Sequence, residues 1–225
     1  MKEQSTRPGR KLDPDPRVRK AIVAAATQLI RDDGVRSLGV AQVLDRAGLG
    51  TRAFYRHFQS KDELVAAVFL DMARVEARRL RKRMVATSDP VDAVVAWIDG
   101  RLDLAFTAEV TSELRQLSLE AQSQMFAAPE LVGAAYGEML APLVEQLERG
   151  SRLGSFADVD AAAYATSIQG VLWASTERQW AAGDHDRRDV RRHVLRFCLR
   201  GLGVAQESIA KIVAADDRPA VQHHR

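Results

Sequence analysis

The sequence predicts an all-α chain in two parts, a three-helix N-terminal unit followed by a larger helical bundle. Two observations carry that prediction. Apolar residues recur at spacings of three and four along most of the chain, as in Ile22, Ala25, Ala26, Leu29 and Ile30. Alternation with a period of two is absent over any useful length, so no strand is expected. The 225 residues are 46% hydrophobic and 28% charged, an ordinary balance for a folded chain of one large domain or a small and a larger one.

The elements follow in order. Residues 1–16 hold Lys2, Arg7, Arg10 and Lys11 among Pro8, Gly9, Pro14 and Pro16. They read as a flexible basic arm, either a solvated tail or one that reaches a polyanion. The first helix carries the stripe from Ile22 to Ile30 and ends at a Gly34 C-cap. A second runs from about Val40 to Ala47. Gly48-Leu49-Gly50 makes a tight turn, and a third, short helix runs from about Thr51 to His57. Ser60 caps a fourth, with Glu63 three residues on completing a capping box. That helix continues through Leu64, Val68 and Met72 to about Val85.

Ser88-Asp89-Pro90 then starts a helix, with a cap followed by Pro at the first helical position. Val91, Val94, Val95, Ile98 and Leu102 stripe it. Further helices are expected at about 112–126, 129–149, 159–182 and 187–202, punctuated by Gly150, Gly154 and Gly183. Pro142 should kink the helix that contains it. Residues 216–225 read as a disordered tail. No internal repeat is present.

Charge is unevenly placed. The net charge is +3, yet residues 1–61 hold 13 Lys/Arg against 6 Asp/Glu. The remainder is net acidic. A basic head on an acidic body points to a head that meets a polyanion. Cys198 is the single cysteine, which excludes an internal disulfide and fits a reducing cytosol. It lies between Phe197 and Leu199 and reads as a buried inert thiol, with a redox sensor as the alternative. No apolar run approaches the roughly 18 residues of a membrane span, and the N-terminus lacks a secretory apolar core. The expected location is the cytoplasm.

The stretch from Val43 to Leu64, VLDRAGLGTRAFYRHFQSKDEL, has the physics of a helix-turn-helix. Val43 and Leu44 face a small core, and Ala47 lets two helices cross closely. Gly48 sits where the chain reverses, at an expected positive φ, and Leu49 plugs the core from the turn. The next helix buries Phe54 and Phe58 and exposes Thr51, Arg52, Tyr55 and Arg56, with His57 toward the same side. Hydroxyl, guanidinium, phenol and imidazole groups on a short helix suit the major groove of DNA. Arg reads guanine edges with two hydrogen bonds, and Thr and Tyr bond phosphate.

Here the sequence resembles the tetracycline-repressor (TetR) family. The resemblance rests on Gly34, Ala47-Gly48-Leu49, Phe54-Tyr55-Arg56-His57-Phe58 and Lys61-Asp62-Glu63-Leu64, and covers roughly residues 17–70. Gly50 stands where the family usually places Ser or Thr, Gly39 where it places Thr, and Leu44 where it places Ala. By this resemblance Tyr55, His57 and Lys61 match positions that contact the phosphate backbone. Thr51, Arg52 and Arg56 sit where base or phosphate contacts are made. Gln42, on the second helix, is a further DNA-binding candidate. Each is otherwise a solvated surface residue, and His57 has the alternative of bracing the fold.

The resemblance implies a DNA-binding domain over residues 17–64 and a helical effector-binding and dimerisation domain over 65–215. The implied protein is a homodimeric repressor released from a palindromic operator by a small molecule. Residues 159–182 and 187–202 are the candidate dimer helices. The first carries the small residues Ala161, Ala162, Ala165, Gly170 and Ala174, with Leu172, Trp173 and Trp180. Val190, Val194, Phe197 and Leu202 stripe the second; intrachain core is the other reading of all of these.

The candidate effector-binding residues are Trp97, Phe106, Arg115, Leu117, Tyr136, Gln169 and Trp173, with Met125, Phe126, Met139 and Glu120 nearby in the pattern. Such a lining favours a hydrophobic or aromatic effector with one or two polar groups; for any one residue, plain core is the favoured reading. No phosphate loop, paired-cysteine site or His-Glu-x-x-His motif is present, so neither an enzyme nor a cofactor is expected. His223-His224 is a weak metal-binding pair in the expected tail, and no metal is expected. A DNA-binding architectural protein without a ligand switch would carry the same head, and activation in place of repression stays open.

Overall fold

In the computed structural model, residues 15–106, 120, 121, 124, 128–157, 159–182 and 186–215 are described. Every regular element among them is an α-helix. The chain divides into two compact units between Val68 and Phe69.

The first unit starts with α1, Pro16–Ser37. Asp15 caps it by accepting a hydrogen bond from the Arg17 N–H at 2.8 Å, and Pro16, at the first helical position, has no N–H to orphan. At Gly34 the backbone leaves the helix, with φ 79° and ψ 167°. The expected stop at Gly34 is therefore a break, with one further turn ending at Ser37. Helix α2, Val40–Ala47, follows and ends at Gly48, whose φ of 65° closes the turn. The Leu49 N–H then reaches back to the Leu44 carbonyl at 2.9 Å, the six-to-one bond of a glycine-terminated helix.

Helix α3 spans Thr51–Tyr55, two residues shorter than expected at its C-terminal end. Ile22, Ala26, Leu29, Ile30, Val43, Leu44, Phe54, Phe58, Leu64 and Val65 are buried and make the core of this unit. Burial of each large apolar side chain contributes about 1.5–3 kcal/mol.

Helix α4 spans Lys61–Met84, and the division between the units falls within it. Its start is fixed by side chains. The Ser60 Oγ accepts from the Glu63 N–H at 3.1 Å, and the Glu63 carboxylate accepts from the Gln59 N–H at 2.6 Å. Glu63 thus reaches one residue further back than the reciprocal box would have it.

The second unit holds the rest of α4 and five more helices. They are α5 (Pro90–Phe106), α6 (Pro129–Arg152), α7 (Ala161–Ala181), α8 (Arg187–Gly201) and α9 (Gln206–Ala214). Asp89, Asp160 and Asp186 cap α5, α7 and α8 by accepting backbone N–H bonds from Val91, Ala162 and Arg188 at 2.8, 3.0 and 2.8 Å. Helix α5 packs on α6, α7 and α8, and α7 packs on both α6 and α8. Trp97, Ile98, Leu102, Leu143, Leu147 and Leu195 are fully buried at the centre.

Helix α6 continues through Pro142. Gly150 lies inside α6, where it leaves room for the Phe156 ring, and Gly154 makes the turn beyond it with φ 72°. Helix α9 was not expected; it docks through Ile209 and Val213. Most of the helix expected at 112–126 lies outside the described residues, as do Gly183, residues 1–14 of the expected arm and residues 216–225 of the expected tail. No helix among the described residues is long and apolar enough to cross a membrane.

Candidate nucleic-acid interface

The α2–turn–α3 segment sets which side chains leave the first unit. Phe54 and Phe58 are each 1% exposed, and their rings meet at a tilt of 38°, 5.7 Å between centroids. From α1, the Arg19 guanidinium lies 5.1 Å from the centre of the Phe58 ring and covers it. With those two rings pinned inward, the other face of α3 must point to solvent. Thr51, Arg52, Tyr55 and Arg56 are all exposed there. Tyr55 is 65% exposed, although its ring rests edge-on against Phe54 at 5.3 Å. An aromatic so exposed is held out by the backbone, with its hydroxyl presented away from the core.

Electrostatics favour the same face. Arg46 on α2 is paired with Asp32 of α1 at 3.2 Å. Among the described residues, Arg52, Arg56 and Lys61 have no carboxylate partner. Lys61 is half-buried at the first position of α4, beside the Ser60–Glu63 cap. His57 is half-buried, and its backbone N–H donates to the Phe54 carbonyl at 2.8 Å, closing the end of α3. Gln42 is exposed, but its Oε1 accepts from the Gly39 N–H at 3.0 Å. Its side chain therefore caps α2 in place of the missing cap hydroxyl at Gly39, and contact with DNA would require it to leave that bond. At Gly50 the cap of α3 is backbone alone.

The residues expected to bind an effector belong, where they are described, to the second unit. Trp97 is fully buried core, and Gln169 is buried with its Oε1 unpartnered. Phe106 is half-buried, its ring 6.4 Å from that of Trp180. Tyr136 is half-buried; burial raises its hydroxyl pKa, and the Arg101 charge pulls it partly back. Arg115, Leu117, Met125 and Phe126 lie outside the described residues. Met139 is buried core, and Glu120 accepts from the Gln124 amide at 3.3 Å.

Among the described residues, Trp173 of the expected set lines a crevice of about 20 Å³ together with Arg101, Leu104, Ala105, Leu172, Thr176 and Trp180. Arg101 and Thr176 were missed from the sequence. The available signal was a polar residue on an apolar stripe, since Arg101 follows Trp97 by four and Thr176 follows Leu172 by four.

Of the residues offered for dimerisation, Ala165, Leu172, Val190, Val194 and Leu202 are buried within the chain itself. Gly170, Ala174 and Phe197 are exposed.

Comparison with known proteins adds a family and a set of structural likenesses. Residues 22–68 match the model of the bacterial regulatory proteins of the tetR family. Comparison with curated proteins finds no match. Among solved structures, RolR in complex with its ligand resorcinol is 20% identical to this chain, covering 92% of it and 97% of RolR, with a TM-score of 0.62. A putative tetR-family transcription regulator from Shewanella sp. PV-4 is 17% identical, over 82% of this chain and 97% of that one, with a TM-score of 0.64. SmeT, the repressor of the Stenotrophomonas maltophilia multidrug efflux pump SmeDEF, is 20% identical, over 81% and 89%, with a TM-score of 0.60. At these identities the likeness is one of fold, and it extends over both parts of the all-α chain.

Proposed function

We propose that this chain, a member of the tetR family of bacterial regulatory proteins, is a cytoplasmic, homodimeric repressor of transcription that a small effector releases from its operator. The observation that carries the reading is the exposed, carboxylate-free face of α3. Arg52 and Tyr55 project from a helix pinned by Phe54 and Phe58, and Arg56 follows at its C-terminal cap. In this reading α3 enters the major groove, Arg52 reads a base edge, and Thr51, Tyr55, Arg56, His57 and Lys61 hold phosphates. Gln42 joins them by leaving its cap. Two copies related by a two-fold axis present two such helices, so the operator is palindromic. Its half-site centres lie about 34–36 Å apart if they fall on successive turns. The dimer forms through the exposed faces of α7 and α8.

The effector is a small hydrophobic or aromatic molecule with one or two polar groups. The crevice beside Trp173 and Trp180 supports this, and Trp97, Phe106, Arg115, Leu117, Tyr136 and Gln169 are the further candidates for its surroundings. RolR, of the same fold, is solved with the aromatic ligand resorcinol. A hundredfold loss of operator affinity requires about 2.7 kcal/mol of coupling. Helix α4 is the candidate carrier because it runs from one unit into the other, with the Pro142 region of α6 as a second element. The test is binding to the DNA upstream of the protein's own gene. Affinity well above that for random duplex at matched salt is expected, falling when effector is added. Equal affinities would end the reading.

A further inference from the structure

We propose that the effector of this chain is an aromatic carboxylate, and that its carboxylate takes Arg101 from the counter-ion Arg101 now holds, Glu76 on α4. The inference rests on the effector-binding reading above and specifies its chemistry.

Glu76 serves two guanidinium groups. Arg79 grips it with two bonds, Nε and Nη2 each 2.8 Å from a carboxylate oxygen. Arg79 also donates to the Gly100 carbonyl at 2.7 Å. Arg101 shares one of the same oxygens through Nη1 alone, at 3.2 Å. The side chains of Arg101 and Glu76 are only 9% and 11% exposed. Glu76 bonds both cations, the Asp103 charge also acts on Arg79, and Arg101 holds the weaker share of Glu76 in a desolvated place. Among the described residues its Nε–H has no partner.

The same crevice receives a second unsatisfied group. The Thr176 side chain is 1% exposed, and its hydroxyl has no partner among the described residues. Buried polar atoms are nearly always bonded, so two orphans on residues that line one crevice mark a place built for an occupant. Both can donate, and the local charge is positive. That combination selects a group that accepts only and carries a single negative charge. A neutral effector would leave the Arg101 charge as weakly compensated as it is now. The remaining walls, Leu104, Ala105, Leu172, Trp173 and Trp180, suit an aromatic body.

The room of about 20 Å³ holds one water-sized group. A ring must therefore part the indoles of Trp173 and Trp180, which meet edge to face at 6.0 Å. When Arg101 turns to the ligand, Glu76 keeps both bonds from Arg79, so the exchange strands no charge. It does remove a bond between α4 and α5, and α4 is the helix that leads to the first unit.

Tryptophan fluorescence of the full chain, without DNA, tests this with benzoate and naphthalene-2-carboxylate, each beside its primary amide. At least one acid is expected to bind about tenfold or more tighter than its amide. Arg101→Gln should abolish the preference and Arg101→Lys keep part of it. Glu76→Gln, which removes the competing carboxylate, should tighten the acid severalfold and leave the amide unchanged. Should Arg101→Gln fail to fold, Thr176→Val replaces it and should weaken the acid more than the amide. Acids that bind no tighter than amides, a preference that survives loss of Arg101, or a Glu76→Gln variant with weaker acid binding would each overturn the proposal. Failure of operator binding, measured separately, would instead overturn the repressor reading.

Discussion

Arg191 of α8 closes a two-toothed pair on Asp99 of α5, with Nε 2.6 Å from Oδ1 and Nη2 3.0 Å from Oδ2. Arg187 extends the pair, reaching Asp99 at 3.4 Å and Asp103 at 2.7 Å. Asp103 in turn takes Arg83 of α4 at 2.6 Å. Five charged side chains thus tie α4, α5 and α8 together. Arg191 and Asp99 are only 8% and 17% exposed, so removal of one charge leaves the other desolvated. Asp99→Asn is expected to cost about 3 kcal/mol, the scale of a broken buried pair. Urea unfolding checks it; a loss under about 0.5 kcal/mol would place the pair with ordinary surface ion pairs.

Two glycines should respond to substitution for different reasons. At Gly48 a Cβ meets nothing, but φ is 65°. Gly48→Ala is therefore a backbone cost alone, about 1–2 kcal/mol. At Gly150 a Cβ would sit 2.1 Å from the Phe156 ring. Gly150→Ala should destabilise by more than Gly48→Ala, and far less in a Phe156→Ala background, because the ring is the obstacle. Equal costs in both backgrounds would remove the ring from the explanation.

Cys198 is 5% exposed, and burial pushes its thiol pKa up to about 12. The neutral form is thus the folded one. The contribution to stability is complete below the unfolded thiol's pKa and is lost as pH rises from there toward 12. At pH 8 a thiol reagent should modify the native chain at least about a hundredfold more slowly than the denatured chain. Rapid native modification would revive the redox-sensor alternative.

The dimer interface is tested at Gly170. This residue is exposed on α7, and a Cβ there meets nothing among the described residues. Gly170→Arg should therefore fold normally and break the contact between copies. Sedimentation is expected to give a folded monomer; an intact dimer would refute the placement.

Much of this architecture was legible because amphipathic spacing and caps are local. The stripe from Ile22 to Ile30, the Ser60–Glu63 cap and the glycine at the α2–α3 turn all appear where their neighbours in sequence required them. Phe54 and Phe58, read as inward-facing, are the buried anchors of α3. What escaped was non-local. Glu76 and Arg101 lie 25 residues apart and meet only when α4 packs on α5. Helix α9 has two buried residues, Ile209 and Val213, too few for a readable stripe. Val190, Val194 and Leu202 were ambiguous because a stripe does not say which partner covers it; the chain itself covers these three. Gln42, a DNA-binding candidate from the sequence, is engaged as a cap, since Gly39 brings no side chain of its own.

The central claim is that α3 reads DNA sequence, and the most direct measurement compares Arg52→Ala with Lys61→Ala on an operator and its single-base variants. Lys61→Ala should weaken binding to every duplex alike and lower the slope of log affinity against log salt by about 1. Arg52→Ala should cost about 1–3 kcal/mol on the operator and flatten the preference at one base pair, leaving the others intact. If both variants lose affinity uniformly across all base variants, Arg52 holds only phosphate and α3 does not read sequence through it. If neither loses any, the exposed face of α3 is not the DNA-binding surface.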